Sequence, residues 1–337
     1  MKKDKTKKKR TNEYDYLHIS ARIHALENRL LTRERMERML DAGSAAEAAK
    51  VLTECGYEEL PSPTPTGIEA LLTRARQALF ADLRGASPQA ALVDMFCIKY
   101  DYHNLKTLLK ARATGADPEP LLVDAGRYDA RVLREDFRKG ELSGVSETFQ
   151  TAAKRAGEVL SATGDPQRAD ILLDRAYYAE LRAAAEQAGS PFLDEYVRTC
   201  IDAANLRAAV RAHRMGQGPA FLREVLVEGG QVEPERLAAA GPGELPGLCF
   251  RTPLEQAAEL GGRAMEGGAL TAFEKACDDA VTAVVRQARR VPFGEQPLVG
   301  YLYAREAELT SIRILLNGKL AGLDRATLEE RLRESYA

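Results

Sequence analysis

The sequence predicts an all-α protein made of three similar helical units of roughly a hundred residues each. Three observations carry that prediction. Ala, Leu, Arg and Glu dominate the 337 residues, and all four favour helix. No segment shows the sustained apolar–polar alternation, rich in Val, Ile and Thr, that marks a half-buried strand. A short helical pattern also recurs three times along the chain.

Taken in order, the elements announce themselves by their ends. Residues 1–10, MKKDKTKKKR, hold seven basic residues and one acid and read as a disordered tail. Helical sequence follows from Tyr14 to Leu40 and stops near Gly43. Ser44 with Glu47 forms a capping box, and Gly56 stops that helix. LPSPTPTG (60–67) is a break, and Thr66 with Glu69 reads as the next capping box. Ser87-Pro88 and Asp165-Pro166 read as cap-plus-proline starts, and Gly115 as a stop. Gly216 ends another helix before the Gly/Pro-rich stretch from Gly229 to Pro253. Thr252-Pro253-Leu254-Glu255 reads as a third capping box, and Gly322 as the last stop.

The repeated pattern is clearest in YDYHNLKTLLKARATG (100–115). Asp101 and Asn104 share an arc of about 140° with Leu105, Leu108 and Leu109. An acid and an amide in an apolar stripe are costly unless they meet partners. The same pattern returns in YVRTCIDAANLRAAVRAHRMG (196–216), with Asp202, Asn205, Leu206 and Arg207 in place of Asp101, Asn104, Leu105 and Lys106. It returns again in EAELTSIRILLNGKLAG (306–322), with Glu308, Ser311, Ile312 and Arg313. Lys110 matches Arg211, and only Asn317 departs from the basic residue expected there. Upstream, LDRAYYAEL (173–181) resembles FEKACDDAV (273–281), so each unit has at least two helices. Ala/Leu/Arg sequence matches itself by chance, but two matches that keep acid, small polar residue, cation and closing glycine together are harder to dismiss.

Composition excludes several functions. Net charge is −2. Removing the tail's seven bases and one acid from 48 and 50 leaves 41 basic against 49 acidic residues. Such a body is not a nucleic-acid binder. No apolar run nears 18 residues, and no apolar segment follows the basic N-terminus as in a signal peptide. Cys55, Cys97, Cys200, Cys249 and Cys277 are odd in number and form no C-x-x-C, which points to buried thiols in a reducing compartment. The four histidines do not pair with them at metal-ligand spacing. Phosphate-loop, dinucleotide, zinc-protease and serine-elbow motifs are absent. Asp278-Asp279 lacks the second acid of a Mg²⁺ motif. No catalytic residue, cofactor or metal is therefore expected. The tail is either an incidental solubilising extension or an attraction to an anionic membrane, worth at most about 1 kcal/mol per basic residue.

The repeated segments, with YDYLHISARIHALENRLLTRERMERML (14–40) and the ending SIRILLNGKLAGL…ERLRESYA, resemble the C subunit of the archaeal and bacterial V-type (A-type) ATPases, whose eukaryotic counterpart is the d subunit. The likeness runs from about Tyr14 to Tyr336. KYDYHNLKTLLKAR (99–112) and EAELTSIRILLNGKLAGL (306–323) are its most specific pieces. The lysine-rich tail is foreign to it. The resemblance implies a pseudo-threefold funnel, one compact fold with a tail (1–13) and units at 14–116, 117–217 and 218–337. It implies a non-catalytic rotor subunit on the cytoplasmic face of the membrane, only peripherally in contact with the bilayer. Its partners would be the central shaft, received in a socket, and the membrane rotor ring, coupled for ATP-linked proton or sodium transport. No nucleic acid or small-molecule substrate is expected. The alternatives are a helical-repeat scaffold unrelated to ATPases, whose repeats would be shorter, and an all-α enzyme with acids converging across units.

Two residue sets follow. Asp101, Asn104, Asp202, Asn205, Glu308 and Ser311 should tie neighbouring helices through hydrogen bonds. Lys106, Arg207 and Arg313 lie on the opposite side of their helices, where a basic stripe is ordinarily a solvated face. Their recurrence at one position instead suggests that they line the socket and offer a positive potential to an acidic shaft tip or to helix C-termini.

Overall fold

The computed structural model describes residues 12–337. The tail at 1–13 falls outside that range except for its last two residues. Among the described residues every regular element is helical. The first unit's region holds α1 (Leu17–Glu27), α2 (Arg33–Asp41), α3 (Ala45–Glu54), α4 (Pro65–Ala86) and α5 (Ala90–Thr114). Then come α6 (Ala130–Lys139), α7 (Glu147–Thr163), α8 (Pro166–Ala188) and α9 (Pro191–Arg214). The remainder is α10 (Pro219–Val225), α11 (Pro234–Ala239), α12 (Leu245–Leu248), α13 (Glu255–Met265), α14 (Leu270–Arg286), α15 (Glu295–Leu320) and α16 (Arg325–Arg331).

Local chemistry explains most boundaries. Ser44 accepts from the Glu47 amide, and Asp165 accepts from the Gln167 amide with Pro166 at the first helical position. Three starts differ from the sequence reading. α4 begins at Pro65, because Thr64 rather than Thr66 caps it by accepting from the Gly67 amide. Ser87 bridges both the amide and the carbonyl of Gln89, so Ser87-Pro88 forms the turn between α4 and α5 instead of a cap. Thr252 accepts from the Leu254 amide and folds a turn, which delays α13 to Glu255. Gly115, Gly216 and Gly322 all adopt φ near +70°, a left-handed conformation in which a side chain is strained, and each closes one of the three long helices. Gly43 does not; α2 has already ended at Asp41.

The long helices come in three pairs, α4–α5 and α8–α9 joined by short turns and α14–α15 joined by residues 287–294. Each pair also packs on the next: α5 on α8, α9 on α14, and α15 back on α4. The six helices thus form a closed cycle of neighbours. The shorter helices follow the same order. α7 lies on α5, α13 on α9, and α3 on α15. The first and last helices therefore meet: Met39, Leu52, Ile68 and Leu72 share one apolar cluster with Leu309, Leu316 and Leu328. Burying each such side chain contributes about 1.5–3 kcal/mol.

Candidate functional site

The six repeat residues sit at the three places where one pair hands over to the next. Asp101 is fully buried on α5. Its carboxylate accepts the amide of Arg127 at 2.9 Å and the Arg127 guanidinium at 2.6 Å, and the Tyr128 amide at 3.3 Å. Asn104 accepts from the Val123 amide and donates to the Val123 carbonyl, both at 2.8 Å. The pair therefore clasps the segment leading into α6. On α9, Asp202 accepts the amides of Gln231 at 2.8 Å and Val232 at 3.1 Å, and Asn205 makes the same double bond to Val227, both at 2.8 Å. On α15 the segment comes from the other end of the chain. Glu308 accepts the Leu31 amide, 277 residues away, together with the Tyr57 hydroxyl. Ser311 departs from the other two copies. Its short side chain donates back to the Ala307 carbonyl of its own helix at 3.1 Å and clasps nothing.

Two glycines complete the clasps, and sequence reasoning did not find them. A methyl group on Gly126 or Gly230 would overlap the carboxylates of Asp101 and Asp202. Only a residue without a side chain lets the backbone come that close. Their similar spacing behind the two aspartates was the available signal. Burial pushes the carboxyls of Asp101 and Asp202 up to about 6; Arg127 and backbone amides oppose this for Asp101, and backbone amides and Arg198 for Asp202.

The recurring cations form a second set of ties. Lys106 pairs with Asp174 on α8 at 2.6 Å, Arg207 pairs with Asp278 on α14, and Arg313 pairs with Glu69 on α4 at 2.6 Å. Each joins a long helix to the next pair. A second rung exists twice, Lys110–Asp170 at 2.6 Å and Arg211–Glu274 at 2.5 Å. The third is missing on both sides, since Asn317 replaces the cation and Pro65 stands where its acid would be. The rungs equate Asp174 with Asp278, one helical turn away from the sequence match of 173–181 with 273–281. A slip of about one turn keeps the acids on the same helix face, so the sequence alone could not reveal it.

The three long helices enclose a cleft of about 320 Å³ lined by Phe96, Tyr196 and Tyr303, one aromatic residue from each. Phe96 stacks on Tyr196, and Tyr196 meets Tyr303 edge-on, with centroids 6.1 Å apart in both cases. Lys99 and Glu306 face each other at its wall. Glu306 is buried and holds Arg76 at 3.0 Å, Lys99 and the Tyr100 hydroxyl. Burial alone would raise the Glu306 carboxyl, but Lys99 and Arg76 hold it below the usual glutamate value. Asp278, Thr310 and Arg333 also line it, with Tyr177 and Leu181 of α8. Among the described residues no cluster of acids, histidines or cysteines could hold a metal ion, and no helix is long and apolar enough to cross a membrane. Asp278 and Asp279 are engaged instead, by Arg207, Arg333 and the Glu334 amide.

The model of the ATP synthase (C/AC39) subunit family matches residues 19–331. The chain is 25% identical to the C subunit of the V-type sodium ATPase of Enterococcus hirae, over 96% of this chain and 99% of that one. It is 26% identical to the C subunit of the V-type ATP synthase of Thermus thermophilus, over 94% and 98% of the two chains. The C subunit of the A-type ATP synthase of Methanocaldococcus jannaschii is also 26% identical, over 91% and 84%. A scaffold unrelated to ATPases is thereby set aside, and the chain belongs to the ATP synthase (C/AC39) subunit family.

Proposed function

We propose that this ATPase subunit is a non-catalytic coupler of the central stalk, a funnel of three pseudo-equivalent units at 14–116, 117–217 and 218–337 that joins the shaft to the membrane rotor ring. The observation that carries this reading is the closed cycle of six long helices around an axial cleft. A part that transmits torque needs rigid, directional ties around its axis rather than a reactive group. The clasps and rungs supply such ties at every handover. The cleft offers aromatic rings with a few charges among them, a lining suited to a joint that can come apart. On this reading the protein sits at the cytoplasmic face of the membrane as a peripheral member of the complex and serves ATP-linked ion translocation.

In this proposal Lys106, Arg207 and Arg313 help line the rim of the socket, since none of them lines the axial cleft itself and Arg207 reaches it only through Asp278. Each is already matched by an acid, so their effect on an acidic shaft tip is local and falls more on association rate than on affinity. The test replaces all three with Gln and measures binding of the purified shaft protein at low and high salt. The expected result is slower association and a salt dependence shallower than that of the parent. Unchanged association and salt dependence would place the three residues outside the socket.

A further inference from the structure

The three handovers are not equally secured. Between α5 and α8, and between α9 and α14, the peptide chain itself crosses, and Asn104 and Asn205 clasp it with two hydrogen bonds each. Between α15 and α4 no peptide crosses. Glu308 holds the Leu31 amide, and Arg313–Glu69 and the buried Arg76–Glu306 pair tie the two helices, but Ser311 makes no clasp, the second ionic rung is absent, and a void of about 20 Å³ lies beside Ser311 and Leu31.

The last residues of the chain compensate for these losses. Tyr336 is buried, and Gly300 leaves room for its hydroxyl, where a methyl group would be 2.6 Å away. That hydroxyl reaches Glu27 of α1 at 3.4 Å, and the Ser335 hydroxyl donates to the Leu31 carbonyl at 3.2 Å. On the other side Arg286 pairs with Glu334 at 2.7 Å, Arg289 donates to the Tyr336 carbonyl at 3.2 Å, and the Glu334 amide donates to Asp279 at 2.8 Å. The strap is thus bound to α14 and to the N-terminal segment at once. Its hydrogen bonds and ion pairs are reversible, its apolar anchors are Leu332 and Tyr336, and no covalent link backs them.

We propose that residues 332–337 form a releasable latch, and that the ring of helices opens first at the α15–α4 handover when the latch leaves. Arg333 connects the latch to the axis. It lines the axial cleft and shares the two oxygens of Asp278 with Arg207. A cation entering the cleft at Asp278 competes with Arg333 and loosens the latch. The role of the latch in closing the ring does not rest on the shaft docking proposed above.

The test compares backbone hydrogen exchange in the parent, in the chain truncated after Leu332, and in the milder variants Tyr336→Phe and Arg333→Gln. Truncation is expected to speed exchange about tenfold to a hundredfold in residues 28–57 and in the second half of α15, with α8 and α9 unchanged. The milder variants follow the same pattern with smaller factors. Unchanged exchange at 28–57 in all three variants overturns the latch. So does an even loss of protection at all three handovers, including the case in which Arg333→Gln alone unfolds the whole protein, because the tail is then part of the common core.

Discussion

Asp101 and Asp202 hold the same kind of lead-in segment by different means, and their removal should cost different amounts. Asp101 is half of an ion pair with Arg127, whose guanidinium keeps a second partner in Glu180 at 3.0 Å. Asp202 accepts only backbone amides. Each orphaned amide costs about 1–3 kcal/mol, and both substitutions orphan two; only the loss of Asp101 also breaks a buried ion pair, a change that costs about 3–5 kcal/mol. Denaturant unfolding should therefore rank Asp101→Ala as the more damaging change, near the lower end of its range because Arg127 keeps Glu180. Equal losses would show that the guanidinium contributes little. Gly230→Ala should destabilise at least as much as Asp202→Ala, since the methyl group displaces the carboxylate without removing its charge. The two aspartates also set a pH dependence. Their folded values near 6 lie above the unfolded value of about 3.9, so the folded state binds more protons between these limits. Their contribution to stability rises as pH falls from about 6 to about 4, and is constant above. Glu306 and Glu180, held low by cations, act in the opposite sense and only below the ordinary glutamate range. Unfolding by urea at pH 7 and pH 5 should show the parent gaining stability relative to Asp202→Asn. No relative change between the two pH values would mean that the carboxyl titrates at or below its unfolded value after all.

At the scale of the element, the sequence disclosed faces better than ends. The apolar arc of Asp101, Asn104, Leu105, Leu108 and Leu109 is buried throughout, because a period of 3.6 fixes which residues point together. Thr66, Ser87 and Thr252 were legible as cap formers, yet each lost its cap to a neighbour or a turn only a few residues away. Polar side chains near helix ends have several local partners, and small differences choose among them. The acid partners of Lys106, Arg207 and Arg313 were not legible at all, since they lie 68, 71 and 244 residues away. Among them Asp278 is the informative one, because it serves two cations whose side chains are only about a quarter exposed, 23% and 24%. Asp278→Asn should cost about 1–3 kcal/mol, more than the roughly 0.2–1 kcal/mol expected for breaking the exposed Lys110–Asp170 rung with Asp170→Asn. Paired melting curves check the order. Equal effects would mean that Arg207 and Arg333 find other partners.

At the scale of the molecule, three copies of one helix pattern were visible from the sequence and the resemblance implied that they surround an axis, while the contacts that close them were not legible. Glu308 and Ser311 matched Asp101 and Asn104 in position, but nothing in the chain announced that Glu308 would hold the amide of Leu31. α15 reaches back to α3 and α4, and a repeat alone does not say whether it continues as an open stack or shuts on itself. Shutting brings Phe96, Tyr196 and Tyr303 to one axis. The proposed coupling function stands or falls on whether this axis receives the shaft. The decisive experiment places the photoreactive residue p-benzoylphenylalanine at Tyr303, assembles the protein into its membrane-bound ATPase, and identifies the adduct after illumination. A covalent adduct with a central-shaft protein is expected. An assembled complex that gives adducts only with ring or peripheral proteins, or none, would refute docking of the shaft at the axis.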